Sequence, residues 1–589
     1  MSEPANPPLD PAAAAGLRSQ LGLVLRLLRA SAVGRTLGRL ATEIVLIIII
    51  TAYGQIRLNR WNKPFFDALS RRDLHEFLVQ LGVFFVIAGI LLVLNVAQRW
   101  LVETFKLRLR EGLVQDLVGH WMRPRRAFWL AHSGPMGVNP DQRMHEDARK
   151  LCELSGDLGV GLLQAAVLFA TFAGVLWVLS EDFSIRLGGE DYPVPGFMLW
   201  AAILYAGFGS LLSYRVGRNL IGRNAERYAR EAELRFGLVR INEHLDGISL
   251  AAGEADERRR VELHLSDVLH ATRRLIIGLT NLTWITAGFG WVTLVAPILV
   301  AVPLFFAGKM SFGGLMMAAA AFTQAQSSLR WFVDNFSTIA DWRATLLRVA
   351  AFRQALTEDE GPQDPARRIV YAEGAAGALS IEDLEIDSPS GCDRLRERNV
   401  VVHAGERVLV AATSGAGKTQ LFRALAGLWP WGAGRIVRCA QEPVLYMPRG
   451  APYLPRGSLH EVLAYPAPVT RFDQAACAAA LQRLGLARLV PLLDQVLRWE
   501  RELSQDEQMA LSFARAVLQA PVWLLIDEAF GALDAETLER VVDVLRKELA
   551  GTGVVHIGGA VEGHDPLFTR VLHLDRIEDR SAAAPAGPP

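Results

Sequence analysis

Cysteine is scarce in this chain. The 589 residues include four, Cys152, Cys392, Cys439 and Cys477. They are scattered, with no C-x-x-C pair and no metal-ligand spacing. A disulfide framework is therefore excluded, and the thiols read as reduced groups of a cytosol-facing protein. Net charge is lacking too: 62 basic residues balance 62 acidic ones. No global field points to nucleic acid, although local basic clusters remain. The opening MSEPANPPLDPAAAAG carries acids and prolines but no apolar core, so no secretory signal is expected there. The closing SAAAPAGPP is expected to be disordered.

Apolar length is what the sequence has in quantity. Hydrophobic residues make up 51% of the chain, high for a soluble protein of this size. They concentrate before residue 350 in long runs. These are LATEIVLIIIITAYGQI from Leu40, FLVQLGVFFVIAGILLVLNVA from Phe77 and GVGLLQAAVLFATFAGVLWVL from Gly159. Two more follow, GFMLWAAILYAGFGSLLS from Gly196 and LTWITAGFGWVTLVAPILVAVPLFFAG from Leu282. A sixth begins near Gly314 with GLMMAAAAF. Each has the roughly 18–25 residues that cross about 30 Å of hydrocarbon. Buried soluble helices could supply one such run, but not six in series. The connections Gln98–Gly156 and Tyr214–Arg274 are rich in arginine, which places them in the cytoplasm. Arg57, Arg60, Lys63, Arg71 and Arg72, between the first two runs, argue the other way. The two long connections carry more weight, so the N-terminus is expected inside.

After the polar stretch TEDEGPQDPARR (Thr357–Arg368) hydropathy falls, and strand-like runs alternate with helical ones. That alternation predicts a parallel α/β domain. The expected organisation is an α-helical membrane domain over 1–356, a linker over 357–369, an α/β domain over 370–578 and a tail over 579–589.

Within the α/β part, ATSGAGKT (Ala412–Thr419) is a P-loop in the register G-x-x-x-x-G-K-[ST], with Ala412 in place of the first glycine. It follows a strand, ERVLVAA, and opens a helix, TQLFRALAGL. The N–H groups across Thr413, Ser414, Gly415, Ala416, Gly417 and Gln420 are candidates to cradle phosphate. Lys418 would reach the β/γ-phosphates and Thr419 would ligate Mg²⁺. A left-handed backbone at Ala412 would cost about 1–2 kcal/mol for its Cβ, and other conformations little. VWLLIDE, a second motif, supplies an acidic pair. Asp527 would hold Mg²⁺ and Glu528 would polarise the attacking water. ATP and Mg²⁺ are thus the expected cofactors.

LSQDEQMA (Leu503–Ala510) resembles the signature segment of ATP-binding cassettes, with Ser504 kept but Asp506 at the glycine that grips the partner's γ-phosphate. A backbone N–H bond to phosphate contributes about 1.5–3 kcal/mol. A carboxylate about 4 Å from a phosphate charge costs about 4 kcal/mol at an effective dielectric near 20. Repulsion wins unless Asp506 turns away. Alternatively Asp506 is a solvated residue that favours the helix dipole. Arg449 or Gly450 stands where a coupling glutamine is expected, and Gly559 where a switch histidine is expected. His556 comes too early, on the wrong face of its strand, and His564 too late. Ser388 replaces the adenine-stacking aromatic. ATP is therefore expected to bind and to be hydrolysed slowly or not at all, since one lost donor already costs about 10²–10³ in rate. Glu528 argues for retained activity.

Four membrane-part blocks, LNRWNKPFFDALSRRD, NPDQRMHED, EAELRFGLVRINEHLDGISLAAGE and the stretch Phe306–Val349, together with LAGLWPWGAGRI, resemble the SbmA/BacA-related transporters. These are similar in turn to peroxisomal fatty-acyl half-transporters. The resemblance covers nearly the whole chain. It implies a homodimer in the bacterial inner membrane, with the cassette in the cytoplasm. It further implies import of peptides or other bulky hydrophilic solutes, bleomycin-like or cobalamin-like, and no nucleic-acid partner. Family members without a cassette use the proton gradient, which makes Glu43 and Asp334 candidate proton carriers or else solvated acids at the interface. The acidic stretch Glu181–Pro195 is expected to face the periplasm. The alternatives are a working ATPase, the degenerate half of a heterodimer and an ATP-responsive membrane regulator.

Overall fold

The computed structural model describes residues 33–132, 140–180, 184–187, 190–357, 368–388, 391–412, 416–558 and 567–577. The chain divides into two compact units. Residues up to Gly119 and Asn139–Arg353 form the first, and His120–Val138 and Gln354 onward form the second.

The first unit is helical. Its long elements are α1 (Gly34–Arg71), α2 (Leu74–Trp121), α4 (Pro140–Leu179), α5 (Phe197–Gly217), α6 (Leu220–Glu243), α8 (Glu254–Phe306), α9 (Phe312–Asp334) and α10 (Phe336–Thr357), whose last turn belongs to the second unit; the short α7 spans Leu245–Leu250. Among the described residues, five helices are long and apolar enough to cross a membrane, one of them running on from α5 through α6. The sixth expected run is helix α9, which is not one of those five. Its 23 residues would span about 35 Å, but Ala, Gly, Gln and Ser make it only mildly apolar. It packs through small residues, burying Gly313, Gly314, Ala318, Ala321 and Ala325. The hairpin β1 (Ser184–Leu187) and β2 (Glu190–Pro193) is antiparallel, with Arg186 opposite Asp191; Glu181 and Asp182 lie outside the described residues.

The blocks that carried the family resemblance tie this unit together. Trp61 stacks on Phe65 at 4.4 Å between centroids and donates to the Gln80 carbonyl at 2.7 Å. Asp67 caps α9, accepting from the Gly313 N–H at 2.8 Å and the Ser311 hydroxyl at 3.0 Å. A Cβ on Gly313 would lie 2.1 Å from the Lys63 carbonyl, so only glycine fits. Pro140–Gln142 opens a helix and leads into a π-helical turn over Arg143–Asp147. The buried Asp147 there takes a bidentate bond from Arg348 at 2.8 and 3.0 Å. Lys106, also buried, lies 2.5 Å from Asp157 and 3.2 Å from Glu103. Glu43 and Asp334 are half-exposed, paired with Arg39 at 3.5 Å and Arg330 at 3.2 Å.

The second unit is a twisted sheet with helices. Among the described residues its strands run in the order β3-β8-β4-β5-β14-β7-β13-β12-β9, with β6 paired to β4. Strands β7 (Arg407–Ala412), β9 (Val444–Met447), β12 (Trp523–Asp527), β13 (Gly553–Ile557) and β14 (Arg570–Ile577) form the parallel part. Strands β3 (Val370–Glu373), β4 (Ala378–Ser388), β5 (Gly391–Leu395), β6 (Asn399–His403) and β8 (Gly432–Arg438) form the other wing. Strands β12 and β13 are buried at every residue, as expected for strands covered on both faces. The short α3 (Arg126–His132) also belongs here. Its Trp129 indole donates to the Leu428 carbonyl at 3.0 Å and Arg126 to the Ala355 carbonyl at 2.6 Å.

Phe513 is fully buried and stacks on Phe530 at 5.9 Å between centroids. In the solubilised full chain, Phe513→Ala should lower stability of the α/β unit by about 3–5 kcal/mol, read from the denaturant midpoint. A loss below about 1 kcal/mol would contradict the packing.

Candidate nucleotide site

Parallel α/β sheets place ligands beyond the C-terminal ends of their strands, where loops gather side chains from several strands. At that edge β7 leads through residues 413–415 and Ala416–Gly417 into α11 (Lys418–Leu425). Thr413, Ser414 and Gly415 lie outside the described residues. Ala412 is the last residue of the strand and has no positive φ. The anticipated cost of its Cβ therefore does not arise. Ala416 is buried and Lys418 starts the helix, with Thr419 and the half-buried Gln420 in its first turn.

Lys418 and Glu528 come together. Lys418 Nζ lies 2.5 Å from Glu528 Oε1, and Arg449 Nε lies 3.2 Å from Oε2. The Lys418 bond, opposed by burial and helped by the charges of Lys418, Arg449 and His556, holds the Glu528 carboxyl below its usual range. Glu528 has a left-handed φ of 50°, an uncommon conformation for a side chain this size. Its N–H donates to the Ile557 carbonyl at 3.0 Å, which fixes the turn.

Asp527 sits one residue earlier and is 1% exposed, with neither carboxylate oxygen in a hydrogen bond of normal geometry. Burial pushes its carboxyl up, with the nearby Thr419 hydroxyl opposing. A buried acid this weakly bonded among the described residues is costly. A divalent cation held between Asp527 and Thr419 would satisfy it, and the oxygen donors suit Mg²⁺.

Two residues gain importance. His556 faces Glu528 rather than away from it. A Cβ on Gly558 would stand 3.0 Å from His556 Nε2 and 3.3 Å from Glu528 Cγ. The strand alternation was right, but the neighbour across β12 decides which face meets the acid. The imidazole is buried between Phe530 at 4.7 Å and Phe568 at 5.6 Å. Gly559 and His564 lie outside the described residues. Asp393 was not anticipated. It is buried on β5, and a Cβ on Gly417 would approach its Oδ2 to 2.6 Å. Burial raises the Asp393 carboxyl, with the Gly417 N–H and Arg576 opposing. Its sequence context, GCDRL, is an ordinary strand and gave no signal.

Ser504 is not part of this cluster. It caps α15 (Gln505–Gln519), which follows α12 (Leu459–Ala464), α13 (Gln474–Arg483) and α14 (Trp499–Glu502). The Ser504 N–H donates to Glu507 at 3.1 Å, completing a capping box. Its hydroxyl lies 2.5 Å from Asp506 Oδ1. Arg488 pairs with Glu507. Ser388 lies in the β4–β5 hairpin and donates to the Gly391 carbonyl at 2.9 Å.

Replacing Asp527 with Asn should remove the Mg²⁺-dependent part of ATP affinity, a loss of about tenfold or more. Affinity in EDTA should stay within about twofold. Equal binding with and without Mg²⁺ in the parent chain would disprove the cation role.

Comparison with known proteins agrees with this geometry. Residues 25–306 match the model "ABC transporter transmembrane region 2", and residues 395–531 match the "ABC transporter" model. The chain is 28% identical over 527 residues to the inner membrane ABC transporter ATP-binding protein YddA of Escherichia coli, covering 88% of this chain and 91% of that one. It is 24% identical to ABC transporter D family member 2, chloroplastic, of Arabidopsis thaliana, over 92% and 84% of the two chains. Identity to the human lysosomal cobalamin transporter ABCD4 is 23%, over 72% and 74%. The fold is similar to that of a bacterial Atm1-family ABC exporter, with a TM-score of 0.70, 17% identity, and coverage of 90% and 92%. The chain is therefore a membrane-bound ABC half-transporter, a transmembrane region followed by one ATP-binding cassette, similar to the D-family transporters.

Proposed function

We propose that this half-transporter dimerises in a bacterial inner membrane and carries peptides or other bulky hydrophilic solutes inward. Its cassettes, in the cytoplasm, bind MgATP and turn it over slowly. The observation that carries slow turnover is the closed helix end at Ser504. The serine hydroxyl that a signature segment offers to the partner's γ-phosphate is turned here onto Asp506, and the Ser504 and Glu507 N–H groups are taken up in the capping box. Two carboxylates at that end repel an approaching triphosphate. Lys418 would hold the β/γ-phosphates, Asp527 and Thr419 the Mg²⁺, and Glu528 the attacking water. Mg²⁺ would supply charge neutralisation between phosphate oxygens.

The resemblance to the SbmA/BacA-related transporters is what favours the inward direction and the cargo class. It rests on the sequence blocks whose structural ties are described above. A proton gradient is the energy source consistent with weak turnover. Glu43 and Asp334 are poor carriers for it, being half-exposed and paired. Lys106, bonded to the half-exposed Asp157 and Glu103, is a better-buried charge than Glu43 or Asp334. A second reading, a working ATPase, is favoured by the intact Lys418 and Glu528.

Phosphate release by the purified protein decides between them. The parent rate should be no more than a few-fold above that of Glu528→Gln. Asp506→Gly, which opens the helix end, should raise it by about tenfold or more. A fast, cargo-stimulated parent rate abolished by Glu528→Gln would establish the second reading. Uptake of labelled peptide into proteoliposomes under an imposed pH gradient, without ATP, should proceed if protons drive the cycle.

A further inference from the structure

Arg449 lies two residues beyond strand β9, and Glu528 directly follows strand β12. The parallel pairing of Met447 with Ile526, continued by two places, sets these two side chains next to each other. Their contact at 3.2 Å follows from that register. The other oxygen of Glu528 is held by Lys418. Lys418 is the P-loop lysine, whose ordinary ligand is a β/γ-phosphate oxygen. Here it grips a carboxylate, so the Glu528 carboxylate stands in for a phosphate oxygen, and Arg449 shares that stand-in from the far side.

We propose that Arg449 is a γ-phosphate-binding residue through which the cassette distinguishes ATP from ADP. This deepens the reading above and rests on MgATP occupying the site. When Lys418 turns to the phosphates, Arg449 is the cation already placed at the same anion. Little holds it back. Its side chain is 71% exposed, and exposed ion pairs contribute about 0–1 kcal/mol. A guanidinium bonds phosphate oxygens in a planar fork, and such charge-assisted bonds are the stronger ones. Arg449, or Gly450 after it, stands where a coupling glutamine is expected, so a cation lies where a neutral amide would. A guanidinium there adds positive charge facing the phosphate end.

The test is nucleotide binding by the full-length protein in detergent, with Mg²⁺, using a non-hydrolysable ATP analogue and ADP. The parent chain should bind the analogue more tightly than ADP. Arg449→Gln should weaken the analogue about tenfold, the loss expected for one charge-assisted bond, while ADP changes by less than about twofold. Arg449→Lys should keep part of the preference. Equal effects on both nucleotides, or no effect on either, would overturn the proposal and leave the MgATP reading standing. A parent chain that binds neither nucleotide would overturn that reading itself.

Discussion

The nucleotide end of this molecule depends on one carboxylate held by two cations. Glu528 follows β12, Lys418 follows β7 and Arg449 follows β9, while His556 reaches the same place from β13. Four strands that are far apart in sequence contribute one side chain each. Their meeting is set by sheet order, and sheet order is held by the apolar clusters on its two faces. Phe513, Leu511, Val541 and Leu545 lie in one. Val408, Val410, Leu421 and Trp523 lie in the other. Lys418 and Glu528, partly shielded from water, attract more strongly than they would on an open surface, whereas Arg449 is mostly exposed. Asp527, buried one residue before Glu528 with the Thr419 hydroxyl opposing the effect of that burial, is the group a divalent cation would complete.

The helical unit has a different economy. The sequence blocks pin helices to one another, Asp67 to the start of α9 and Asp147 to Arg348, and outside them Arg353 holds Asp116 at 2.7 Å. An acid at a helix N-terminus satisfies free N–H groups as well as complementing the dipole. These contacts explain why such stretches are specific without requiring any of them to touch cargo.

Much of this was legible beforehand. A strand, a glycine-rich turn and a helix in the right order identify the phosphate loop, and VWLLIDE reads as a buried strand ending in two acids. Other features needed the third dimension. Ala412 was suspect in sequence, yet its strand conformation makes the Cβ harmless. Arg449 read as the loss of a glutamine, because nothing in MPRGAPY says that β9 borders β12. His556 was assigned the wrong side, since a period of two gives relative faces but not which face meets Glu528. Lys106 hid in a helical run, its partner Asp157 lying on another helix. Helix α9 looked like another apolar span, but alanine and glycine signal close packing as readily as lipid contact.

The excursion of His120–Val138 into the second unit has a practical corollary. The backbone enters that unit through an early detour and again after Arg353, so the unit is not a contiguous piece of polypeptide. A fragment cut from residue 354 onward would lack the Trp129 indole that covers the Leu428 carbonyl, and the His132 ring that meets Trp429 at 5.9 Å. Trp429 would then turn an edge to water. Such a fragment should be stickier than the intact protein, and supplying the detour as a separate peptide would restore the missing cover.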